Sequence, residues 1–170
     1  MDLRPFVRDI QDFPEPGVVF KDITPMFNNP KALNAAFEGL FNLVNGKAVD
    51  KVVGMESRGF FFAPMLANKL GAGFVPVRKK GKLPFATIGE TYNLEYGTDI
   101  LEIHTDAIQK GEKVLIHDDV LATGGTASAA CRLIEKLGGE VVQCNFLIQL
   151  TFLKGADKLN GHQIRSLLTY

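Results

Sequence analysis

The sequence predicts an α/β chain folded as a doubly wound, mostly parallel sheet. Three observations lead there. Residues 113–150 read as strand, glycine loop, helix and strand in succession, and residues 49–77 repeat the order strand, helix, strand. The apolar period also switches between short continuous runs and three- and four-residue steps along the chain. A strand–helix–strand unit needs a crossover, so its two strands run parallel, with right-handed connections. In such a sheet ligands bind at the carboxyl ends of the strands.

Residues 1–30 carry Phe13-Pro14-Glu15-Pro16-Gly17, Thr24-Pro25 and Asn28-Asn29-Pro30. Proline at this density makes loops and short extended pieces. Leu33, Ala36, Phe37, Leu40, Phe41 and Val44 then fall on one helical face, which predicts a helix over 31–45. Asn29 before Pro30 suits an N-cap followed by proline at the first helical position. After Gly46, residues 49–55 form a short apolar run ending in Glu56-Ser57-Arg58-Gly59, a buried strand leading into a loop. A helix over 60–70 closes on Gly71, and 73–77 is a second strand.

Residues 78–99 are polar, with Gly81, Pro84, Gly89 and Gly97 and little periodicity. An irregular stretch of that length inside a compact domain is expected to be functional or mobile. Residues 94–96 and 101–103 read as short strands around its end, and 106–110 as a turn. The strand over 113–119 ends on Asp118-Asp119, and Leu121-Ala122-Thr123-Gly124-Gly125-Thr126 is a tight loop. A helix over 127–137, with Ala127, Ala130, Cys131, Ile134 and Leu137 on one face, stops at Gly138-Gly139 before a strand over 141–150.

Composition narrows the function. Of 170 residues, 46% are apolar and 22% charged, enough apolar surface for one ordinary core. Lys+Arg and Asp+Glu are both 19, which excludes a globally basic nucleic-acid surface. The richest apolar run, residues 60–67, is too short to span a membrane and contains Pro64. Met1-Asp2-Leu3-Arg4-Pro5 places charges where a signal peptide needs an apolar stretch, so a cytoplasmic protein is expected. Cys131 and Cys144 have no metal-ligand spacing and read as small buried apolar residues. His104, His117 and His162 are scattered, without the helical spacing of a metal pair.

The loop over 118–126 carries the chemistry. Gly124-Gly125 lets backbone amides converge, Thr123 and Thr126 add hydroxyls, and the following helix presents free amides and the positive end of its dipole. All of these favour a phosphate. GxxxxGK[ST] and GxGxxG are both absent, so neither a Walker nor a dinucleotide-binding loop is indicated. Two carboxylates just upstream would repel phosphate alone. They suit a ligand that also brings hydroxyls or a divalent cation, and a sugar phosphate does both.

Val114 to Thr126 resembles the phosphoribosyl diphosphate signature of the type I phosphoribosyltransferases. Further segments in order are similar to the branch of that family that uses adenine: residues 13–23, 56–60, 78–84, 92–97 and 152–155. Together they span almost the whole chain. The resemblance implies one domain over 1–170, with a small base-binding hood over about 1–30 and a mobile catalytic loop over 78–99. It implies a purine-salvage transferase, joining adenine to 5-phosphoribosyl diphosphate with magnesium, in a cytoplasmic homodimer without nucleic-acid or membrane partners. In that pattern Ala122, Thr123, Gly124, Gly125 and Thr126 hold the 5-phosphate. Asp118 and Asp119 bind the ribose hydroxyls and help place Mg2+, which is held mainly through substrate. Glu56, Ser57 and Arg58 lie beside the diphosphate, and Arg58, the backbone at Val19 and the ring of Phe20 border the base. Arg78, Lys79 and Lys82 supply positive charge for the departing diphosphate. Glu95 exchanges a proton with the base, and Tyr96 covers the site.

Three residues depart from the pattern: Met55, His117 and Gln149. Two other functions share the fold, a non-catalytic regulator and a transferase for another base. The segment 94–97 favours catalysis on adenine, and with the residues ahead of the first sheet strand matching the base-binding segment no added winged-helix module is expected.

Overall fold

The computed structural model describes residues 1–93 and 98–170. The chain divides into two compact units, Met1–Gly39 and Leu40–Tyr170, the division falling within one helix.

In the first unit, β1 (Arg8–Gln11) pairs antiparallel with β2 (Val19–Asp22), placing Ile10 opposite Phe20 and Gln11 opposite Val19. The Phe13 ring meets Phe20 edge-on at 5.1 Å. A short helix α1 (Thr24–Phe27) follows and buries Met26. The Asp22 carboxylate accepts the Thr24 amide and hydroxyl, both at 2.9 Å, and so fixes the turn into α1. Helix α2 (Pro30–Val44) opens as its sequence indicates: Asn29 Oδ1 accepts the amides of Lys31 and Ala32, each at 3.0 Å.

The second unit is built on a seven-stranded sheet. Its elements are β3 (Lys51–Met55), α3 (Ala63–Leu70), β4 (Gly73–Lys79), β5 (Thr87–Asn93), β6 (Thr98–His104), β7 (Lys113–Leu121), α4 (Gly125–Lys136), β8 (Glu140–Gln149) and β9 (Ile164–Thr169). The spatial order is β5-β6-β4-β3-β7-β8-β9. Strands β4, β3, β7, β8 and β9 are parallel, while β5 and β6 add an antiparallel edge. Helices cover both faces. Val53, Val75, Ile116 and Phe146 share a core with Ala127, Ala130, Cys131 and Ile134 of α4. On the opposite face the His117 ring meets Phe62, just ahead of α3, edge-on at 6.1 Å. Residues Val52–Met55 of β3 are all buried, which is why that strand reads as an unbroken apolar run.

Three elements differ from the sequence expectation. Residues 60–70 are not one helix: Arg58–Phe61 is a 3₁₀ turn and α3 starts at Ala63, with Pro64 in its first turn. Much of the stretch 78–99 is regular strand, as the end of β4 and the β5–β6 pair. Its exposed edge leaves most of those side chains exposed or half-buried, which blurred the period. The edge strand β9 was unmarked in the sequence for the same reason, and only Leu168 of it is buried. Residues 101–103 fall within β6, whereas 94–96 lie outside the described residues.

Candidate active site

The site is built where two neighbouring parallel strands end. Strand β3 delivers Glu56-Ser57-Arg58-Gly59, and β7 delivers Asp118-Asp119 and then the glycine loop. Gly59 joins them. A Cβ there would sit 2.9 Å from Asp118 Oδ1 and 3.0 Å from the His117 carbonyl oxygen, so only glycine lets the two strand ends approach. Arg58 Nε lies 2.8 Å from Asp119 Oδ2. That nitrogen is poorly aligned for a hydrogen bond, so the carboxylate oxygen is charge-paired yet buried without a hydrogen-bond partner.

The two aspartates differ in surroundings. Asp119 is buried, and Asp118 keeps a partly open edge while its carboxyl accepts the Asp119 amide at 2.9 Å. Burial pushes the Asp118 carboxyl well above the ordinary range, and the adjacent Asp119 charge adds to the rise. Burial also raises Asp119, with the Arg58 guanidinium pulling it back. A carboxylate held at raised energy gains the most when a cation arrives beside it.

Beyond the aspartates the chain turns sharply. Gly124 has φ +77° and ψ 0°, a left-handed conformation that glycine adopts without strain, and α4 begins at Gly125 with no side-chain cap. The first-turn amides of α4 therefore face outward unclaimed by the helix. Asp118 and residues 120–127 line a cavity of about 70 Å3 at this point. The sequence-predicted phosphate cradle, Ala122, Thr123, Gly124, Gly125 and Thr126, is thus brought together with Asp118.

The expected diphosphate cations are gathered differently from a plain basic patch. Glu56 draws in three of their groups: Lys82 Nζ at 2.7 Å, Arg78 Nη2 at 3.2 Å and the Lys79 amide at 3.1 Å. Burial is the largest influence on Glu56 and opposes ionisation, but these bonds together hold its pKa down at about 2. The Lys79 ammonium turns to Asp99 at 3.1 Å, and that contact raises its pKa. Three cations therefore face two carboxylates. Neither acid's pairing was legible in the sequence, because each partner lies some twenty residues or more away in the chain.

Two further groups were given no role from the sequence. Tyr92 is buried and donates to Asp99 Oδ2 at 3.3 Å, and its hydroxyl also meets the Thr126 side chain. Glu90 binds Arg132 Nε at 2.6 Å and Lys136, tying β5 to α4. A lone acid or tyrosine in a strand gives no spacing signal. Glu95 and Tyr96 lie outside the described residues. Val19 and Phe20 lie on β2 of the first unit, Val19 exposed and Phe20 half-buried. Among the described residues no three His, Cys, Asp or Glu side chains gather as a metal site. No helix there is long and apolar enough to cross a membrane.

The phosphoribosyl transferase domain family matches residues 24–161 of the chain. An adenine phosphoribosyltransferase of Christiangramia forsetii is 65% identical over 172 aligned positions, covering all of this chain and 99% of its own. The chain belongs to the adenine phosphoribosyltransferase family. Solved members of the adenine phosphoribosyltransferase family share the whole fold. The Rhodothermus marinus enzyme superposes with a TM-score of 0.95 at 54% identity, over 99% of this chain and 96% of its own. The Saccharomyces cerevisiae enzyme, solved with an iminoaltritol bisphosphate and adenine, gives 0.90 at 45% identity, over 98% and 96%.

Proposed function

We propose that this chain transfers the phosphoribosyl group of 5-phosphoribosyl diphosphate to adenine, releasing AMP and diphosphate, as a purine-salvage enzyme. The observation that carries the reading is the junction of the raised-pKa Asp118–Asp119 pair with the glycine loop at the mouth of α4. Its setting is a chain that aligns end to end with adenine phosphoribosyltransferases.

The bond to be broken joins the anomeric carbon to the diphosphate oxygen. Cleavage leaves positive charge on the ribose ring and negative charge on the leaving group. The loop 122–126 binds the 5-phosphate through backbone amides and the hydroxyls of Thr123 and Thr126. Asp118 and Asp119 hold the ribose hydroxyls and stabilise the developing ring cation from the end of β7. Arg78, Lys79 and Lys82 neutralise the diphosphate, with Glu56 and Asp99 keeping these cations in place before substrate arrives. Ser57 and Arg58 line the diphosphate side next to Asp119, with Glu56 beside them. Val19, Phe20 and Arg58 border the adenine, in a hood formed by residues 1–30 of a single 1–170 domain. Glu95 exchanges the proton on the adenine ring nitrogen, and Tyr96 covers the site.

Mg2+ fits this set. Asp118 and Asp119 would offer hard carboxylate oxygens to the ion, Asp118 from its partly open edge, and Mg2+ would be held mainly through the substrate. The ion supplies charge neutralisation of the diphosphate. A second copy of the chain covers the exposed Phe61, Met65 and Phe74, giving a cytoplasmic homodimer. Incubation with 5-phosphoribosyl diphosphate, Mg2+ and adenine tests the reading. AMP and diphosphate in equal amounts support it, and no AMP sinks it.

A further inference from the structure

Gly155 stands far along the chain from the glycine loop, as the first residue of the 3₁₀ helix Gly155–Leu159, which follows the 3₁₀ helix Thr151–Leu153. The space where its side chain would project is filled by that loop. A Cβ at 155 would lie 2.8 Å from the Gly124 amide nitrogen, 3.0 Å from the Ala122 carbonyl carbon, and closer still to the Ala122 oxygen. The contact is reciprocal, since a Cβ at 124 would lie 2.9 Å from the Gly155 carbonyl carbon. Gly124 needs glycine for its left-handed backbone as well, but Gly155 is not left-handed, so close approach alone demands glycine there.

The turn behind the loop is braced. The Thr151 amide and hydroxyl both donate to the Tyr170 carbonyl at 2.8 Å, and the Lys154 amide returns to Thr151 at 3.1 Å. The Leu150 amide donates to the Leu121 carbonyl at 2.9 Å, one residue before the loop begins. Packed backbones of this kind shift together or not at all.

We infer that Gly155 is a positioning residue for the phosphate loop. Its bare backbone sets how far Ala122–Gly124 folds back, and thereby where the loop amides converge. It acts through the loop and touches no ligand. The inference rests on the reading of residues 122–126 as the cradle of the 5-phosphate.

Calorimetric titration with ribose 5-phosphate, alongside steady-state kinetics, tests it on four proteins: the unaltered chain, Gly155→Ala, Thr151→Val and Gly161→Ala. Gly161 has φ +91° and no atom within 4 Å of its would-be Cβ, so its substitution strains the backbone without touching the loop. Gly155→Ala is expected to weaken ribose 5-phosphate binding about tenfold or more and to raise KM for 5-phosphoribosyl diphosphate in step, a typical penalty for a small misplacement. KM for adenine stays within about twofold. Thr151→Val, which loses only the hydroxyl brace, shows the same split at about two- to threefold. Gly161→Ala loses stability and binds as the unaltered chain does. Equal affinity in Gly155→Ala and the unaltered chain overturns the inference, as does equal weakening in Gly155→Ala and Gly161→Ala. Should Gly155→Ala fail to fold, unchanged affinity in Thr151→Val overturns it. An unaltered chain that binds ribose 5-phosphate but makes no AMP defeats the adenine reading alone, and the affinity ratios still decide the role of Gly155. An unaltered chain that does not bind ribose 5-phosphate defeats both.

Discussion

Lowering the pH from 7 to 5 should destabilise this protein through one histidine. His117 is fully buried on β7, one residue before Asp118, with Nδ1 3.3 Å from Asn145 Oδ1 and no partner at Nε2. Burial pushes its pKa from 6.5 down to about 4, against a smaller upward pull from Asn145. The unfolded chain therefore takes up a proton on this ring between pH 6.5 and 4 that the folded chain refuses. Stability is present above 6.5 and falls as the pH drops towards 4. Integrating the two titrations from pH 7 to pH 5 gives a loss of about 2 kcal/mol. At this chain length that is a fall of about 4–8 °C in Tm. Comparison with His117→Ile isolates the effect, because every other group titrates in both proteins. The variant is less stable at pH 7 if the Asn145 contact counts, but its Tm should fall less on acidification by that same 4–8 °C. The assay is urea unfolding or calorimetry at pH 7, 6 and 5. Parallel pH profiles for the two proteins would refute a neutral, buried His117.

Other perturbations reach the site itself. Glu56→Gln should cost about 1–2 kcal/mol at pH 7, less than its pKa depression alone implies because Arg78 and Lys82 are partly exposed to solvent. In unaltered protein that contribution is present above pH 4.5 and lost as pH falls towards 2, and urea unfolding across this range checks it. Gly124→Ala, which adds both backbone strain and a collision with Gly155, should cut kcat/KM for 5-phosphoribosyl diphosphate about a hundredfold, measured by initial rates. Binding of ribose 5-phosphate with Mg2+ should weaken on acidification as the raised-pKa pair protonates, and Asp118→Asn should flatten that dependence in a titration series. Glu95→Gln should lower turnover about a hundredfold in both directions, and unchanged turnover would remove Glu95 from the proton transfer.

What could be read in the sequence followed from local physics. The β7–loop–α4–β8 unit was legible because an apolar run, two acids, two glycines and an amphipathic helix sit next to one another in the chain. Asn29 and Gly71 marked helix ends for the same local reason, and the structure places an N-cap bond and a left-handed C-cap there. Elements that bury only one side were not legible. Strands β5 and β9 lie at the sheet edges, where exposed and half-buried residues leave no clean alternation, and of β6 only residues 101–103 were marked. Within the site, the signal of Gly59 was a motif, but its reason is a contact with Asp118 on another strand. The acids facing the diphosphate cations, Glu56 on Lys82 and Asp99 on Lys79, depend on the meeting of segments distant in the chain, which no spacing reports. His117 broke an aliphatic pattern, and its partner Asn145 lies on the neighbouring strand β8.

The zero net charge of the chain conceals a local separation, cations gathered around Glu56 and carboxylates gathered beside the glycine loop. Its purpose is tested most directly by one assay: purified protein with Mg2+ and 5-phosphoribosyl diphosphate, supplied in turn with adenine, guanine, xanthine and orotate. The account predicts AMP and diphosphate in equal amounts from adenine, and no comparable nucleotide from the other three. Turnover of another base in preference to adenine, or of none, would contradict it.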